Sequence, residues 1–349
     1  MKGQFVVETA EVIVRIKRAV VDGLIDGKSK DAVVKSVNPF IKKYIVAFKN
    51  VEERKERQKE LIFYTVKLYD KLKRRVEGLA GAIGVSVAMV IGAFKGEKKA
   101  VQRIESIAKG KFEIVQKTAP SVNLGLEREY IFADRIDIQD LRKKVKSAIL
   151  EIGGATAGNI RSRAEAYARH KAQEESISQM KGKGVKLVWC STHQDCSVRC
   201  APWQGKLYSL DGTSGEIDGN RYQPLERATD IYYTTKVGKT YKNGLLGFNC
   251  RHRLVPYNKN QTPPKMFTER QMEKMRAIDR VQRQMELEIR KVKEKAFTIE
   301  NQDKVMANRL FAKARKMVEA YRDYCYNNDR VAMIFRTQIM REEIGKLRR

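Results

Sequence analysis

Two short segments of the chain concentrate the residue types that bind metals or act as nucleophiles. The first, CSTHQDCSVRC, begins at Cys190 and supplies three cysteines and a histidine, and the second, NCRH, ends at His252 and supplies one more of each. The chain holds only five cysteines and three histidines in all. Thiolates and imidazoles from two such segments are typical of structural zinc sites. The sequence therefore presents three alternatives: a zinc site, a catalytic thiol, or a core of reduced cysteines.

Six candidate ligands compete for at most four positions in a zinc site. We predict one structural zinc with the ligands Cys196, Cys200, Cys250 and His252. His193 is a substitute for one of them, and Cys190 ends the apolar run VKLVW, where we expect a buried thiol. The C-x-H spacing is not that of a standard zinc finger, and buried, reduced cysteines explain the same residues equally well.

A catalytic thiol is the third interpretation. Cys200 or Cys250 beside a histidine would form an activated thiolate, with Asp195 orienting the imidazole. The chain has no G-x-S-x-G, no H-E-x-x-H and no glycine-rich phosphate loop. We therefore predict that the protein is not an enzyme, and keep a Cys/His or zinc-dependent, toxin-like hydrolase as the alternative.

Aromatic and turn-forming residues accompany the two segments. Trp203 and Tyr208 are large enough to anchor a small core, and Gly205 shapes a turn. The side-chain amide of Asn249 is expected to hold the backbone of the NCRH turn. We interpret these residues as architectural.

Proline placement separates helical flanks from an irregular centre. Five of the seven prolines fall between Pro202 and Pro264, and a proline ring is excluded from helix interiors. Short β-branched and aromatic runs in this centre (VKLVWC, GKLYSLDG, DIYYTTKVGKTYKNG and RHRLVPY) indicate strands. The predicted fold class is mainly α with a small central α+β, β-rich unit and long amphipathic helices on both sides.

We divide the chain into four regions. They are a basic helical N-terminal region (1–130), a helical arm (131–184), a compact Cys/His-containing α+β unit (185–262), and a C-terminal helical hairpin with a tail helix (263–349). Residues 78–94 of the first region carry no charge. A buried or partner-packed hairpin is favoured there over a membrane span, because the segment is short and contains four glycines. A membrane-active ejection protein is the alternative.

The chain is strongly basic, with 71 Lys and Arg against 42 Asp and Glu and a net charge of +29. The excess is spread along the chain, and it exceeds what solubility requires. We expect a polyanionic neighbour, namely nucleic acid. The N-terminus does not resemble a secretory signal and the cysteines do not resemble a disulfide framework, so we expect synthesis and folding in a reducing cytoplasm.

The central segments resemble the minor capsid, or head morphogenesis, proteins of tailed bacteriophages, the group related to the Mu F head protein. The matching residues are Arg163 with Glu165, Trp189, Trp203 with Gln204 and Gly205, then Asn249, Cys250, Arg251, His252 and Pro256. Cys200 stands where many relatives carry a histidine, an exchange that keeps ligand chemistry available.

This resemblance covers about 155–260 and implies a structural protein of the virion. Such proteins act in head assembly at the capsid interior, and their partners are the portal protein, the major capsid protein and packaged DNA. The resemblance also implies multiple copies in each virion. The basic composition independently predicts a protein with a polyanionic neighbour, which agrees with this role.

Overall fold

The computed structural model describes residues 2–48, 50–107, 137–234, 240–242, 244–247 and 250–340. The helices are α1 (Lys2–Ile25), α2 (Lys30–Ile45), α3 (Val51–Ile83), α4 (Val87–Lys95), α5 (described over 98–107), α6 (Ile138–Gly154), α7 (Gly158–Gly182), α8 (Glu226–Thr229), α9 (Glu269–Ile299) and α10 (Lys304–Asn327). The strands are β1 (Leu187–Cys190), β2 (Leu207–Ser209), β3 (Gly215–Ile217), β4 (Asn220–Pro224), β5 (Tyr232–Thr234), β6 (Thr240–Lys242) and β7 (Leu254–Pro256). A mainly helical chain with a small central sheet confirms the predicted fold class.

The chain forms two compact units. The helical unit comprises Ala10–Thr156 and Ile289–Lys316, and the sheet unit comprises Met1–Thr9, Ala157–Glu288 and Met317–Arg349. Helices α9 and α10 each contribute residues to both units. The four contiguous regions drawn from the sequence stay a prediction.

In the helical unit, α3 has the apolar stripe that its three- and four-residue spacing predicts. Leu61, Leu68 and Leu72 are buried on one face, and the Asn50 side chain caps the first turn. Gly84 ends the helix at φ +79°, a conformation that favours glycine. Helix α4 then leaves at 97° to α3.

The bend between α3 and α4 falls within the uncharged segment 78–94. By length and composition, none of the described helices could cross a membrane alone, whereas α3 and α4 together pass the same test. Val90, Ile91 and Ala93 on α4 are buried. This apolar segment therefore packs as two short arms around a glycine turn.

The central sheet has the strand order β3-β4-β2-β1-β7, and a separate ribbon pairs β5 with β6. Strand β1 lies antiparallel to both β2 and β7, and Cys190 is opposite Leu254. Because β1 and β7 are antiparallel neighbours, the chain leaving β1 and the chain entering β7 lie at the same end of the sheet. The two Cys/His segments are these two stretches of chain.

The first half of α9 packs antiparallel to the second half of α10. The Tyr324 hydroxyl donates to the Ile278 carbonyl at 3.2 Å, and Gln282 donates to the Tyr321 hydroxyl at 3.2 Å. Of the predicted tail helix, the described residues form one 3-10 turn, Ile334–Thr337, which ends in extended backbone at Gln338. The rest of that prediction, from residue 341 on, lies outside the described residues. Tertiary contacts override helix extension here, because the Tyr321 hydroxyl accepts from the Met333 amide.

Candidate metal centre

The pairing of β1 with β7 brings the two Cys/His segments together in the sheet unit. The Ser191 amide donates to the Arg253 carbonyl at 2.8 Å, and the Arg253 amide donates to the Ser191 hydroxyl at 2.9 Å. After these two hydrogen bonds the first segment folds back through a turn, in which the Cys200 amide donates to the Ser197 carbonyl at 3.0 Å. The turn places Cys196 and Cys200 against the second segment.

The four predicted ligands meet in one buried cluster. Their exposed fractions lie between 2% and 7% for Cys196, Cys200, Cys250 and His252. The sulfurs of Cys200 and Cys250 are 3.9 Å apart, and the Cys250 sulfur lies 3.2 Å from Nδ1 of His252. Cys200, Cys250 and His252 each offer a ligand atom within 4.8 Å of the other two. The sulfur of Cys196 lies at the other ring nitrogen, 3.5 Å from Nε2 of His252.

The thiols share their protons unequally. Hydrogen bonds from Cys196 and Cys250 lower the pKa of the Cys200 thiol, which favours its thiolate. The same hydrogen bonds, followed by burial, raise the pKa values of Cys196 and Cys250. Chemically, such a cluster is suited to a cation that stabilises several thiolates together.

Gln204 fixes the orientation of the His252 ring. Its side chain is fully buried, and Oε1 accepts from the backbone amide of His193 at 2.9 Å. The same oxygen lies 3.2 Å from Nε2 of His252, and Nε2 of Gln204 donates to Met272 at 3.2 Å. An oxygen that accepts from an amide cannot donate to the ring, so Nε2 of His252 carries the proton. The unprotonated Nδ1 therefore faces Cys250.

Two helices hold the segments from outside the sheet. Gln173 on α7 donates to the carbonyl of Cys250 at 3.3 Å and to that of His252 at 2.9 Å. Arg276 on α9 donates to the carbonyl of Cys196 at 2.9 Å. These bonds fix the backbone of three predicted ligands.

A charged network adjoins the cluster. Asp195 lies 2.9 Å from Arg251 and 2.9 Å from Arg330, and Asp279 lies 3.0 Å from Arg330. Burial opposes ionisation of Asp195, but Arg251 and Arg330 outweigh it and hold the pKa of this carboxyl below its usual range. Asp195 thus pairs with two arginines, whereas the catalytic interpretation requires it to orient an imidazole.

The remaining predicted residues take separate places. Cys190 is fully buried, and burial raises its pKa to about 12, as expected for a core thiol. The ring of His193 packs edge-on to that of His252 with centroids 4.8 Å apart, while its Nε2 lies 3.2 Å from the Ser191 hydroxyl. Asn249 lies outside the described residues. Arg163 and Glu165 fall on α7.

The aromatic residues predicted as architectural frame the cluster. Trp189 is 4% exposed on β1 and packs against Tyr257 with ring centroids 6.4 Å apart. The carbonyl of Trp203 accepts from the hydroxyl of buried Tyr208 at 2.6 Å. Gly205 follows with φ +68°, which reverses the chain into β2.

Several residues that support the cluster have no signal in the sequence. Gln173, Arg276 and Met272 lie on charged helical stretches that read as solvated surface, and Arg330 follows an ordinary turn. Gln204 belongs to the quoted motif, but its bond to His252 is a property of the fold. The contact forms because the turn at Gly205 places Gln204 beside His252, which lies 48 positions later in the chain.

One comparison with known proteins matches. The sequence model of the family described as phage minor capsid protein 2 matches residues 141–325, more than half of the 349-residue chain. This range runs from α6 to the end of α10, so it includes the whole cluster and the helices that hold it. No curated protein and no solved structure matches the chain.

Proposed function

Because the chain belongs to the phage minor capsid protein 2 family, we propose that it acts in head assembly of a tailed phage, inside the capsid and near the portal. Family membership makes it a structural protein of the virion and confirms its recognition as a phage minor capsid protein. The proposed partners are the portal protein, the major capsid protein and packaged double-stranded DNA, with several copies in each virion. Synthesis in the bacterial cytoplasm belongs to the same proposal.

The observation that supports the DNA contact is the net charge of +29, together with its exposure on α10. Six basic side chains of this helix are exposed and form no ion pair with any described residue: Lys304, Arg309, Lys313, Arg315, Lys316 and Arg322. Arg309, Lys313 and Lys316 follow one another at four- and three-residue steps, so they share one face of the helix. Such a face neutralises phosphates and releases counterions without reading base sequence.

The proposed role is architectural rather than catalytic. Cys200→Ser separates the two alternatives: an architectural cluster loses folding or capsid assembly, whereas an enzyme would keep its fold and lose turnover. The pairing of Asp195 with arginines supports the architectural alternative, because it leaves His193 and His252 without a carboxylate partner among the described residues.

Sedimentation of head intermediates tests the placement. We expect the chain to co-sediment with proheads of the phage that encodes it, and to be depleted from proheads assembled without portal protein. Recovery only in soluble or tail fractions would overturn a role in the head. Full incorporation into proheads that lack portal would overturn the placement near the portal.

A further inference from the structure

We propose that the sheet unit contains one structural zinc site, with Cys196, Cys200, Cys250 and Nδ1 of His252 as ligands and Gln204 as the residue that positions the histidine. The proposal is independent of where the protein lies in the virion. It selects four of six candidate residues and one of two ring nitrogens.

Two distances within the cluster are close to those of a tetrahedral ion. Two thiolates about 2.3 Å from zinc lie about 3.8 Å apart, and a thiolate and an imidazole nitrogen lie about 3.6 Å apart. The Cys200 and Cys250 sulfurs are separated by 3.9 Å, and Cys250 and Nδ1 of His252 by 3.2 Å. Cys196 lies on the Nε2 side of the His252 ring and hydrogen-bonds with Cys200. We assign it as the fourth ligand through this contact with Cys200.

The tautomer of His252 selects the ligand atom. Nε2 donates to Gln204, which is itself fixed by the His193 amide and by Met272. A metal-binding histidine usually donates its other ring N–H to an acceptor of this kind, which orients the ring and raises its basicity. Here the acceptor is fully buried and the free nitrogen faces the Cys250 sulfur.

The closed surroundings make the site structural rather than catalytic. All four ligand side chains are buried and all four belong to the protein, so no coordination position is left for water or substrate. The ligands also join the loop after β1 to the segment before β7, two parts of the chain that share only short strands. Zinc at this point would stabilise a sheet whose strands are three to five residues long.

Metal content of the full-length chain, produced without a histidine tag, tests the site. We expect about one zinc per chain in the wild type and in Cys325→Ser, since Cys325 is a buried thiol on α10 outside the cluster. Cys250→Ser should lose the metal. Absence of zinc from the wild type after reconstitution, or its retention in Cys250→Ser, would overturn the proposal.

Cobalt substitution of the wild type keeps the test independent of variants that fail to fold. Tetrahedral cobalt with three thiolates should give intense ligand-field and sulfur-to-metal charge-transfer absorption, whereas an octahedral spectrum would contradict the assigned ligands. Gln204→Leu should weaken zinc affinity by about 10- to 100-fold. Gln204→Glu keeps the acceptor oxygen and should have most of the wild-type zinc affinity. Equal zinc affinity in wild type, Gln204→Leu and Gln204→Glu would contradict the positioning role of Gln204.

Discussion

The guanidinium of Arg330 lies 2.9 Å from the carboxylate of Asp195, although 135 positions of chain separate the two residues. Arg330 also donates to Gln282 and Asp279 on α9. The contact therefore fastens the loop that carries Cys196 to the end of the helical hairpin, within the sheet unit. Asp195 is only 7% exposed, so its charge depends on these partners.

Neutralising Asp195 should loosen this connection. In Asp195→Asn, Arg251 and Arg330 lose the buried carboxylate that they share, and we expect the free energy of unfolding to fall by about 2 kcal/mol. The matched control is Glu216→Gln, which breaks an exposed 3.8 Å pair with Arg221 and should cost less than about 0.5 kcal/mol. Denaturant unfolding measures both; equal effects would contradict the structural role of Asp195.

The helical unit has its own buried ion pair, Lys17 with Glu294. Lys17 is fully buried and also donates to the carbonyls of Gly153 at 2.8 Å and Ala155 at 2.7 Å, at the end of α6. Lys17→Met leaves the Glu294 carboxylate without this partner, and we expect a loss of about 3–5 kcal/mol in unfolding free energy.

A double-variant cycle separates the coupling energy between the two charges from the loss of packing in each single variant. Lys17→Met combined with Glu294→Leu should be more stable than Lys17→Met alone, since the buried carboxylate is removed together with its lysine. Lys71→Gln, which breaks an exposed pair with Glu151, is the control and should cost less than about 1 kcal/mol. Strict additivity of the two substitutions would show that the charges are not coupled.

Asp303 makes a pH-dependent contribution to the free energy of unfolding. Its hydrogen bond to Lys146, then that from the Met306 amide, holds the pKa of this carboxyl below its usual range. A depressed pKa gives stability that is present above about pH 3.9, the unfolded value, and is lost as the pH falls through the folded pKa.

Asp303→Asn keeps an oxygen that caps α10 and removes the charge. We expect a loss below about 1 kcal/mol at neutral pH, because the pair is near the surface, and a smaller difference from wild type at acid pH. Lys146→Gln should behave alike, since it removes the other partner. A wild-type–variant difference that grows as the pH falls would contradict this assignment.

Substitution of Gly205 tests the turn that places Gln204 beside His252. The φ of +68° at Gly205 is strained for other residues, and an added Cβ would lie 2.2 Å from the Met266 sulfur and 2.9 Å from Thr192. Gly205→Ala should therefore cost about 1–2 kcal/mol or more. Gly78→Ala on α3 meets open space in helical backbone and should instead stabilise by about 0.5–1 kcal/mol. Thermal or denaturant unfolding distinguishes the two signs.

The sequence predicts local features of this fold well. Apolar spacing predicts the buried face of α3, and Gly153–Gly154 and Gly182 mark the ends of α6 and α7. Strands β1, β2, β5, β6 and β7 were predicted from β-branched and aromatic runs, whereas β3 and β4 were not. The clustering of Cys196, Cys200, Cys250 and His252 was predicted from residue type alone. These features depend on neighbours in sequence or on rare residue types.

Long-range polar contacts could not be predicted in this way. Asp195 and Arg330, or Gln173 and the carbonyl of His252, are common residue types that meet only after the strands pair and α9 folds back on α10. The 3-10 turn at Ile334–Thr337 has the same cause, because contacts with Tyr321 and Gln282 decide the backbone path there. Periodicity carries no information about such partners.

Binding of duplex DNA as a function of salt tests the central claim most directly. Wild type should lose affinity linearly in log salt, and Arg309→Gln/Lys313→Gln/Lys316→Gln should reduce that slope by up to about 2.7, about 0.9 for each phosphate contact removed. The charge-matched control replaces Lys28, Lys30 and Lys55, which pair with Asp26, Asp70 and Glu52, and should change the slope less. Salt-independent binding, or no binding, would contradict a protein that contacts packaged DNA.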